Sequence, residues 1–181
     1  ANEAYEYFHN EIIVNGIDFS NTKALFNVGF TLEDPEDYAI HSEERKFNTA
    51  YAEAEWQWYL SGDPNIEKLG EIYGKIPAIW KRMADENGEV NSNYGYQWMR
   101  SDQIGHVAKL LIENPSTRFT VINNKLNMSV YMRSNDLWYG FCIDQYCFSR
   151  LQILMSKMTG YEIGTYYHHA HNLHLYNDKI K

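Results

Sequence analysis

Two groups of polar residues in the second half of this sequence could do chemistry. Arg133, Ser134, Asn135 and Asp136 directly follow a strand-like stretch, and Asp144 comes a few residues later. Arg133 could bind a phosphate through paired guanidinium N–H groups with the Ser134 hydroxyl beside it, or could form an ordinary surface salt bridge. Asp144 could recognise a ligand or cap the N-terminus of a following helix. The residue types alone leave these alternatives open.

Four histidines near the end of the chain form a third group. Strand alternation places His169 and His171 on one face and His168 and His174 on the other. The ligands of one zinc ion have to converge, and this alternation separates them. We therefore expect no metal site and interpret these histidines as residues of a sheet or as contacts to a ligand.

The two cysteines, Cys142 and Cys147, lie in a mostly apolar segment. Either could be a nucleophile, but no base is visible near them in the sequence, and we interpret both as thiols of the core. Two cysteines this close together are too few for a disulfide framework, which favours a reduced, intracellular setting.

Length and composition predict one domain spanning residues 1–181, with 44% hydrophobic and 22% charged residues. The net charge of −8 disfavours binding to nucleic acid, which requires a basic surface, so a few local arginines must bind any anionic ligand. No segment has the composition of a signal peptide or of a membrane-spanning helix. We expect a cytoplasmic protein with neither nucleic acid nor membrane as partner.

Apolar spacing and turn signals predict the elements that position these residues. Helices are expected at residues 3–13, 43–60, 65–73, 77–84 and 145–158, with another between a Ser101 cap and Asn114-Pro115, and strands at 23–32, 126–132 and 161–176. Gly29 is expected at a bulge in the first strand. Because helices and strands are mixed without a regular βαβ rhythm, we expect an α+β fold with a largely antiparallel or mixed sheet.

Seven blocks of this sequence, in chain order, resemble the thymidylate synthase superfamily. They are EAEWQWYLSGDPNI, IW, ADENGEVNSNYGYQW, DQIGHVAKLLIENPSTR, YMRSND, YGFCID and HLY, and they cover about residues 48–178. The resemblance implies a mixed sheet flanked by helices, and a homodimer. Within the family, NSNYG and MRSND are most similar to the phage-type deoxycytidylate (dCMP) hydroxymethylases, which suggests a phage-encoded protein of the host cytoplasm.

The resemblance also implies how a pyrimidine nucleoside monophosphate binds. Arg133 and Ser134 resemble the phosphate-binding pair of the family, and Arg118 resembles the arginine that reaches the same phosphate from the partner subunit. His174 and Tyr176 match the pair that hydrogen-bonds the 3′-hydroxyl of the sugar.

Other positions match residues that act on the pyrimidine ring and on the co-substrate, methylenetetrahydrofolate. Glu55 matches the carboxylate that organises water and proton transfer around the pyrimidine. Asp136 matches the residue that faces the pterin of the folate. Trp80 and Tyr94 match aromatic positions that line the cavity, and we assign Trp80 to the folate side.

Asp144 is the most informative of these positions, and by resemblance it is also assigned a catalytic role. Thymidylate synthases have asparagine there, whose amide both donates and accepts and so fits the edge of uracil. A carboxyl group suits cytosine instead, because one oxygen accepts from the exocyclic amino group while a shared proton joins the other oxygen to the ring nitrogen. This position therefore favours a cytosine nucleotide.

The family reaction begins when a cysteine thiolate adds to ring carbon 6, so that carbon 5 can attack the methylene group of the folate. The intermediate is then reduced to a methyl group or captured by water to give hydroxymethyl. Met83 stands where synthases usually have a second tryptophan, which favours a wetter cavity and the hydroxymethyl product.

The sequence departs from the family at its nucleophile. The segment that carries the catalytic cysteine is expected between Arg118 and Phe119 and is absent, as is a C-terminal segment after Lys181. Either the protein is a shortened relative that has lost catalysis, or the natural polypeptide contains segments that this sequence omits, which we prefer because deleting an interior strand would leave its neighbours unpaired. The alternatives to a dCMP hydroxymethylase are a thymidylate synthase acting on dUMP and an inactive protein that binds pyrimidine nucleotides.

Overall fold

The structure is a computed structural model that describes residues 1–113 and 119–180. The helices are α1 (Asn2–Asn15), α2 (Thr49–Ser61), α3 (Ile66–Tyr73), α4 (Ala78–Met83), α5 (Tyr94–Met99), α6 (Gln103–Glu113) and α7 (Gly140–Thr159). The strands are β1 (Ile17–Phe19), β2 (Thr22–Leu32), β3 (Phe119–Ile122), β4 (Lys125–Met132), β5 (Asn135–Asp136) and β6 (Glu162–Tyr176).

The chain divides into two compact units, Ala1–Phe47 with Leu111–Lys181 and Asn48–Leu110. We refer to the first as the sheet unit, because it contains the six strands, and to the second as the helical unit. None of the helices in the described residues is both long and apolar enough to cross a membrane.

The sheet unit is built around β6, its longest strand. The strand order is β1-β2-β6-β4-β3, and β5 also pairs with β6. β2 runs antiparallel to β6, whereas β4 and β5 run parallel to it, so the sheet is mixed as expected. Alternate β4 residues Leu126, Met128 and Val130 are buried, which confirms the predicted alternation of that strand.

β2 contains no bulge at Gly29, so that expectation was wrong. Gly29 pairs with His169 in the regular register that β2 and β6 share. A Cβ at Gly29 would lie 2.8 Å from both the Tyr167 hydroxyl and the His168 carbonyl oxygen. Glycine is therefore needed here because β6 approaches closely.

α2 begins later than its apolar pattern predicts. The predicted helix starts at residue 43, but the observed one starts at Thr49, where the side chain of Asn48 accepts a hydrogen bond from the Tyr51 N–H. Residues 43–46 form a turn in which Lys46 has φ 48°. A capping amide outweighs apolar spacing at this boundary because it satisfies a backbone donor of the first turn.

Ser101 does not cap α6, contrary to the prediction. It lies in a short 3-10 turn, Arg100–Asp102, with φ 55°, and α6 begins after Asp102. The predicted stop at Asn114-Pro115 lies outside the described residues. α3, α4 and the final strand β6 agree with their predicted ranges within a residue or two, and α5 was not predicted.

Candidate functional site

The chain between β4 and α7 carries three of the predicted site residues of the sheet unit. Arg133 and Ser134 follow β4 and are exposed. Asp136 belongs to β5, which pairs with β6 so that Asp136 lies opposite His174. Pairing of these two strands therefore brings together two predicted site residues that are far apart in the sequence.

Asp144 lies inside α7, which begins at Gly140 with Tyr139 in the N-cap position. A helix that starts after Asp144 was expected, and this boundary was wrong; the alternative that Asp144 caps the helix is wrong with it. Asn135 Nδ2 donates a hydrogen bond of 2.7 Å to Asp144 Oδ2. A Cβ on Gly140 would lie 3.3 Å from each of these two atoms, so glycine here lets the first turn of α7 lie close to Asn135.

Asn135 connects Asp144 to two further buried residues of β6. Its Oδ1 lies 3.2 Å from Nε2 of His168, whose Nδ1 lies 2.8 Å from the hydroxyl of Tyr166. Burial lowers the pKa of His168 to about 4, which keeps the ring neutral at physiological pH. The sequence analysis assigned no function to Asn135 or Tyr166. Strand alternation was a usable signal for part of this cluster, because it places Tyr166 and His168 on the same face.

Asp136 and His174 form the second polar pair of the sheet unit. Asp136 Oδ1 accepts a hydrogen bond of 2.9 Å from the Trp138 N–H. Burial raises the pKa of Asp136, and backbone N–H groups and the nearby His174 only partly oppose this. His174 Nδ1 lies 3.1 Å from Oδ1 of Asn172, and its ring meets the Tyr176 ring edge-on at 5.4 Å.

The predicted phosphate ligands differ in how far the structure describes them. Within residues 1–113 and 119–180, Arg133 makes no ion pair or hydrogen bond, so a surface salt bridge does not occupy its guanidinium. Ser134 is exposed beside it. Arg118 lies outside the described residues.

Both cysteines are buried in the sheet unit, as expected for core thiols. Cys142 Sγ lies 3.5 Å from the carbonyl oxygen of Leu137. Burial raises the pKa of the Cys142 thiol to about 12, so it carries very little thiolate at neutral pH. Neither Cys142 nor Cys147 has the exposure that a nucleophile requires.

In the helical unit, Glu55 is buried among aromatic side chains of its own and neighbouring helices. The Tyr59 hydroxyl donates a hydrogen bond of 2.6 Å to Glu55 Oε1. Burial raises the pKa of Glu55, and hydrogen bonds from Tyr51, Tyr59 and Trp80 stabilise the charged form without cancelling that effect. Glu55 is therefore a carboxyl group that holds a proton more tightly than an ordinary glutamate.

Trp80 and Tyr94 belong to the same aromatic cluster of the helical unit. Trp80 Nε1 donates a hydrogen bond of 2.7 Å to the Tyr51 hydroxyl, and its ring packs edge-on against Trp58 at 5.1 Å. Tyr94 meets the Tyr59 ring edge-on at 6.0 Å. The structure thus gathers Glu55, Trp80 and Tyr94 around shared tyrosines, whereas Met83 at the end of α4 is 49% exposed.

Comparison with known proteins gives two findings. A family model described as thymidylate synthase matches residues 18–124 and 115–181. The structure is similar to that of thermostable thymidylate synthase A from Bacillus subtilis, with a TM-score of 0.76 and 20% sequence identity, over 99% of this chain and 81% of that chain. At this identity the structural likeness establishes the fold, and it confirms the expected mixed sheet flanked by helices.

Proposed function

Because the chain belongs to the thymidylate synthase family, whose members transfer a one-carbon unit from methylenetetrahydrofolate to a pyrimidine nucleotide, we propose that this protein acts on dCMP. The proposed product carries a hydroxymethyl group on ring carbon 5. The observation that carries the proposal is the Asp144 carboxyl group, which accepts a hydrogen bond of 2.7 Å from Asn135 and which by resemblance matches the base-reading position of the family.

A carboxyl group at position 144 favours cytosine over uracil for a chemical reason. The exocyclic amino group of cytosine donates, and one carboxyl oxygen can accept from it while a proton is shared between the other oxygen and the ring nitrogen. Uracil has a carbonyl oxygen in place of the amino group, and this acceptor would face another acceptor. Asp144 is also not engaged as a helix cap, since α7 begins at Gly140.

We propose that Arg133 and Ser134 bind the phosphate, assisted by Arg118 of a second copy of the chain. The exposure of Arg133 and Ser134 supports this function, because a phosphate can reach both side chains. His174 and Tyr176 are proposed to bind the 3′-hydroxyl of the sugar.

The remaining proposed functions concern the folate and the reacting ring. Asp136 is proposed to face the pterin of methylenetetrahydrofolate, and Trp80 to contact the folate. Tyr94 is proposed to line the cavity. Glu55 is proposed to move protons between water and the pyrimidine, and its raised pKa suits a carboxyl group that has to hold a proton before donating it.

In the proposed reaction, a thiolate adds to ring carbon 6 and carbon 5 forms a bond to the methylene carbon of the folate. A base removes the proton from carbon 5 and the folate nitrogen leaves, which gives an exocyclic methylene group. Water adds to this methylene carbon and gives up a proton, and loss of the thiolate from carbon 6 restores the ring. The thiolate must come from the segment expected between Arg118 and Phe119, since Cys142 and Cys147 are buried. The same observation favours the second candidate function, an inactive protein that binds pyrimidine nucleotides.

The proposed function is tested by titrating the protein with dCMP, dUMP and deoxycytidine and by assaying tritium release from ring carbon 5 of dCMP with methylenetetrahydrofolate. We expect dCMP to bind more tightly than either other ligand. Arg133→Ala is expected to weaken dCMP binding about 10- to 100-fold, the effect of losing a charge-assisted contact, without changing deoxycytidine binding.

Arg100→Ala, at an exposed position in the helical unit, is the matched control and is expected to bind dCMP normally. Equal affinity for dCMP and dUMP contradicts the assignment of a cytosine nucleotide. Tight dCMP binding without tritium release selects the inactive binding protein.

We propose further that the protein is a homodimer. An aromatic patch of Tyr131, Tyr167 and His169 supports an interface on the face of the sheet opposite His168. Tyr131 is 71% exposed, and its ring lies 6.3 Å from Tyr167 and 5.6 Å from His169.

Tyr131→Glu is expected to halve the mass measured by sedimentation equilibrium, since it places a charge in an apolar contact. Tyr7→Glu, at an exposed position on α1, should leave the mass unchanged. A wild-type protein that sediments as a monomer contradicts the proposal.

A further inference from the structure

A buried chain of hydrogen bonds runs from β6 through β5 to α7. It joins the hydroxyl of Tyr166 to His168 Nδ1 at 2.8 Å, His168 Nε2 to Asn135 Oδ1 at 3.2 Å, and Asn135 Nδ2 to Asp144 Oδ2 at 2.7 Å. Tyr166, His168 and Asn135 are at most 3% exposed. This chain of hydrogen bonds ends on the carboxyl group of Asp144, which is proposed to recognise the base.

The chemistry of each group sets the direction of this chain. Asn135 donates its N–H to Asp144, so its acceptor-only oxygen faces His168. Nε2 of His168 must therefore carry a hydrogen. Because burial keeps this imidazole neutral, Nδ1 has no hydrogen and accepts from the Tyr166 hydroxyl. Every donor in the chain thus points toward Asp144.

Packing holds the middle of the chain in place. The His168 ring stacks on Phe30 with centroids 5.4 Å apart and an interplanar angle of 19°, and it meets Phe141 edge-on at 5.5 Å. Turning the Asn135 amide over would bring its oxygen to the Asp144 carboxylate and its NH₂ group to the Nε2 hydrogen of His168. Each of these mismatches would leave a buried polar group without a partner, so the amide has one stable orientation.

We propose that Asn135, oriented by His168, is a positioning residue that sets the preference of Asp144 for a cytosine ring. Asn135 fixes Asp144 Oδ2 as an acceptor, so a proton shared with the ring nitrogen belongs on Oδ1. A carboxyl group with one accepting and one protonated oxygen complements the amino group and the ring nitrogen of cytosine, and it mismatches uracil at both positions. This inference rests on the proposed function.

The test compares Asn135→Ala with a control that loses similar hydrogen bonds elsewhere in the sheet. Asn127 bonds to Thr120, Lys125 and Thr165, and Thr165 lies about 26 Å along β6 from the residue opposite Asn135. The dissociation constants for dCMP and dUMP are measured by calorimetry for each variant. We expect Asn135→Ala to reduce the dUMP-to-dCMP ratio of these constants at least 10-fold and Asn127→Ala to leave it unchanged.

A second variant, His168→Phe, tests the inference even if Asn135→Ala fails to fold. Phenylalanine retains the stacking on Phe30 but removes the N–H group that orients Asn135. We therefore expect the dUMP-to-dCMP ratio of dissociation constants to fall, but by less than in Asn135→Ala. Nitrogen-15 NMR of the wild-type protein should show the Nε2–H form of His168 without any nucleotide present. The Nδ1–H form overturns the assigned direction of the chain.

The outcomes separate this inference from the function on which it rests. A wild-type protein that binds no dCMP, or does not distinguish it from dUMP, overturns the proposed function. A wild-type protein that prefers dCMP, together with an Asn135→Ala or His168→Phe variant that keeps the full preference, overturns the inference alone. A reduced ratio in these variants with a normal ratio in Asn127→Ala supports it.

Discussion

Exchanging two side chains, by Asp144→Asn together with Asn135→Asp, is expected to reverse the nucleotide preference of the protein. The carboxylate introduced at position 135 accepts from His168 and from the NH₂ group introduced at position 144, so the 2.7 Å hydrogen bond remains with its direction reversed. The new amide then donates to the carbonyl oxygen of uracil and accepts from its ring N–H, and it mismatches cytosine at both positions. Leaving a buried polar group of dCMP mismatched costs about 1–3 kcal/mol, which corresponds to a loss of affinity of about 10- to 100-fold.

Equilibrium titration of this double variant with dCMP and dUMP at neutral pH measures this reversal. Asp18→Asn makes the same chemical change as Asp144→Asn at an exposed position of β1 and should bind both nucleotides like the wild type. If the double variant still prefers dCMP, position 144 does not read the base, and another residue must be sought for that function.

Replacing Glu55 by glutamine is expected to stabilise the protein at neutral and alkaline pH. Burial raises the pKa of Glu55 above its ordinary value of 4.5, so the folded state keeps a proton that the unfolded state releases. The contribution of this carboxyl group to the free energy of unfolding is fully present below pH 4.5. It is lost as the pH rises through the pKa that Glu55 has in the folded state. Each unit of the raised pKa corresponds to about 1.4 kcal/mol, and glutamine avoids this loss because it does not ionise.

Thermal unfolding between pH 4 and 9 measures the difference between Glu55→Gln and the wild type. The two should converge at low pH and separate as the pH rises, while Glu86→Gln, in an exposed loop of the same unit, should follow the wild type. A parallel pH dependence of Glu55→Gln and the wild type contradicts the raised pKa. If Glu55 also transfers protons as proposed, the more stable variant should lose about 100-fold or more in turnover.

The predicted elements were most accurate where a repeating apolar pattern specified them. The alternation from Leu126 to Met132 predicted β4, and the long final strand was predicted to within one residue. Both patterns are local, because the side-chain period of a strand can be read without knowing its neighbours. The α+β class and the mixed sheet followed from the same local patterns.

The helix boundaries were less accurate because caps and close contacts decide them. α2 begins where the Asn48 side chain accepts a hydrogen bond from a backbone N–H, and α7 begins at Gly140, where a Cβ would lie 3.3 Å from Asn135 Nδ2. Apolar spacing carries no information about either contact. The error at α7 mattered most, because it left open the wrong alternative that Asp144 is a helix cap.

The amino-acid sequence by itself determined the fold class, the family resemblance and the residues assigned to the site. Side-chain chemistry and local periodicity can be read from the sequence alone. Only the tertiary structure decided which groups orient one another. Asn135, His168 and Asp144 lie on β5, β6 and α7, and the hydrogen bonds between them exist because strand pairing and helix packing bring those elements together. No spacing in the sequence encodes that contact, because it depends on where three separate elements meet.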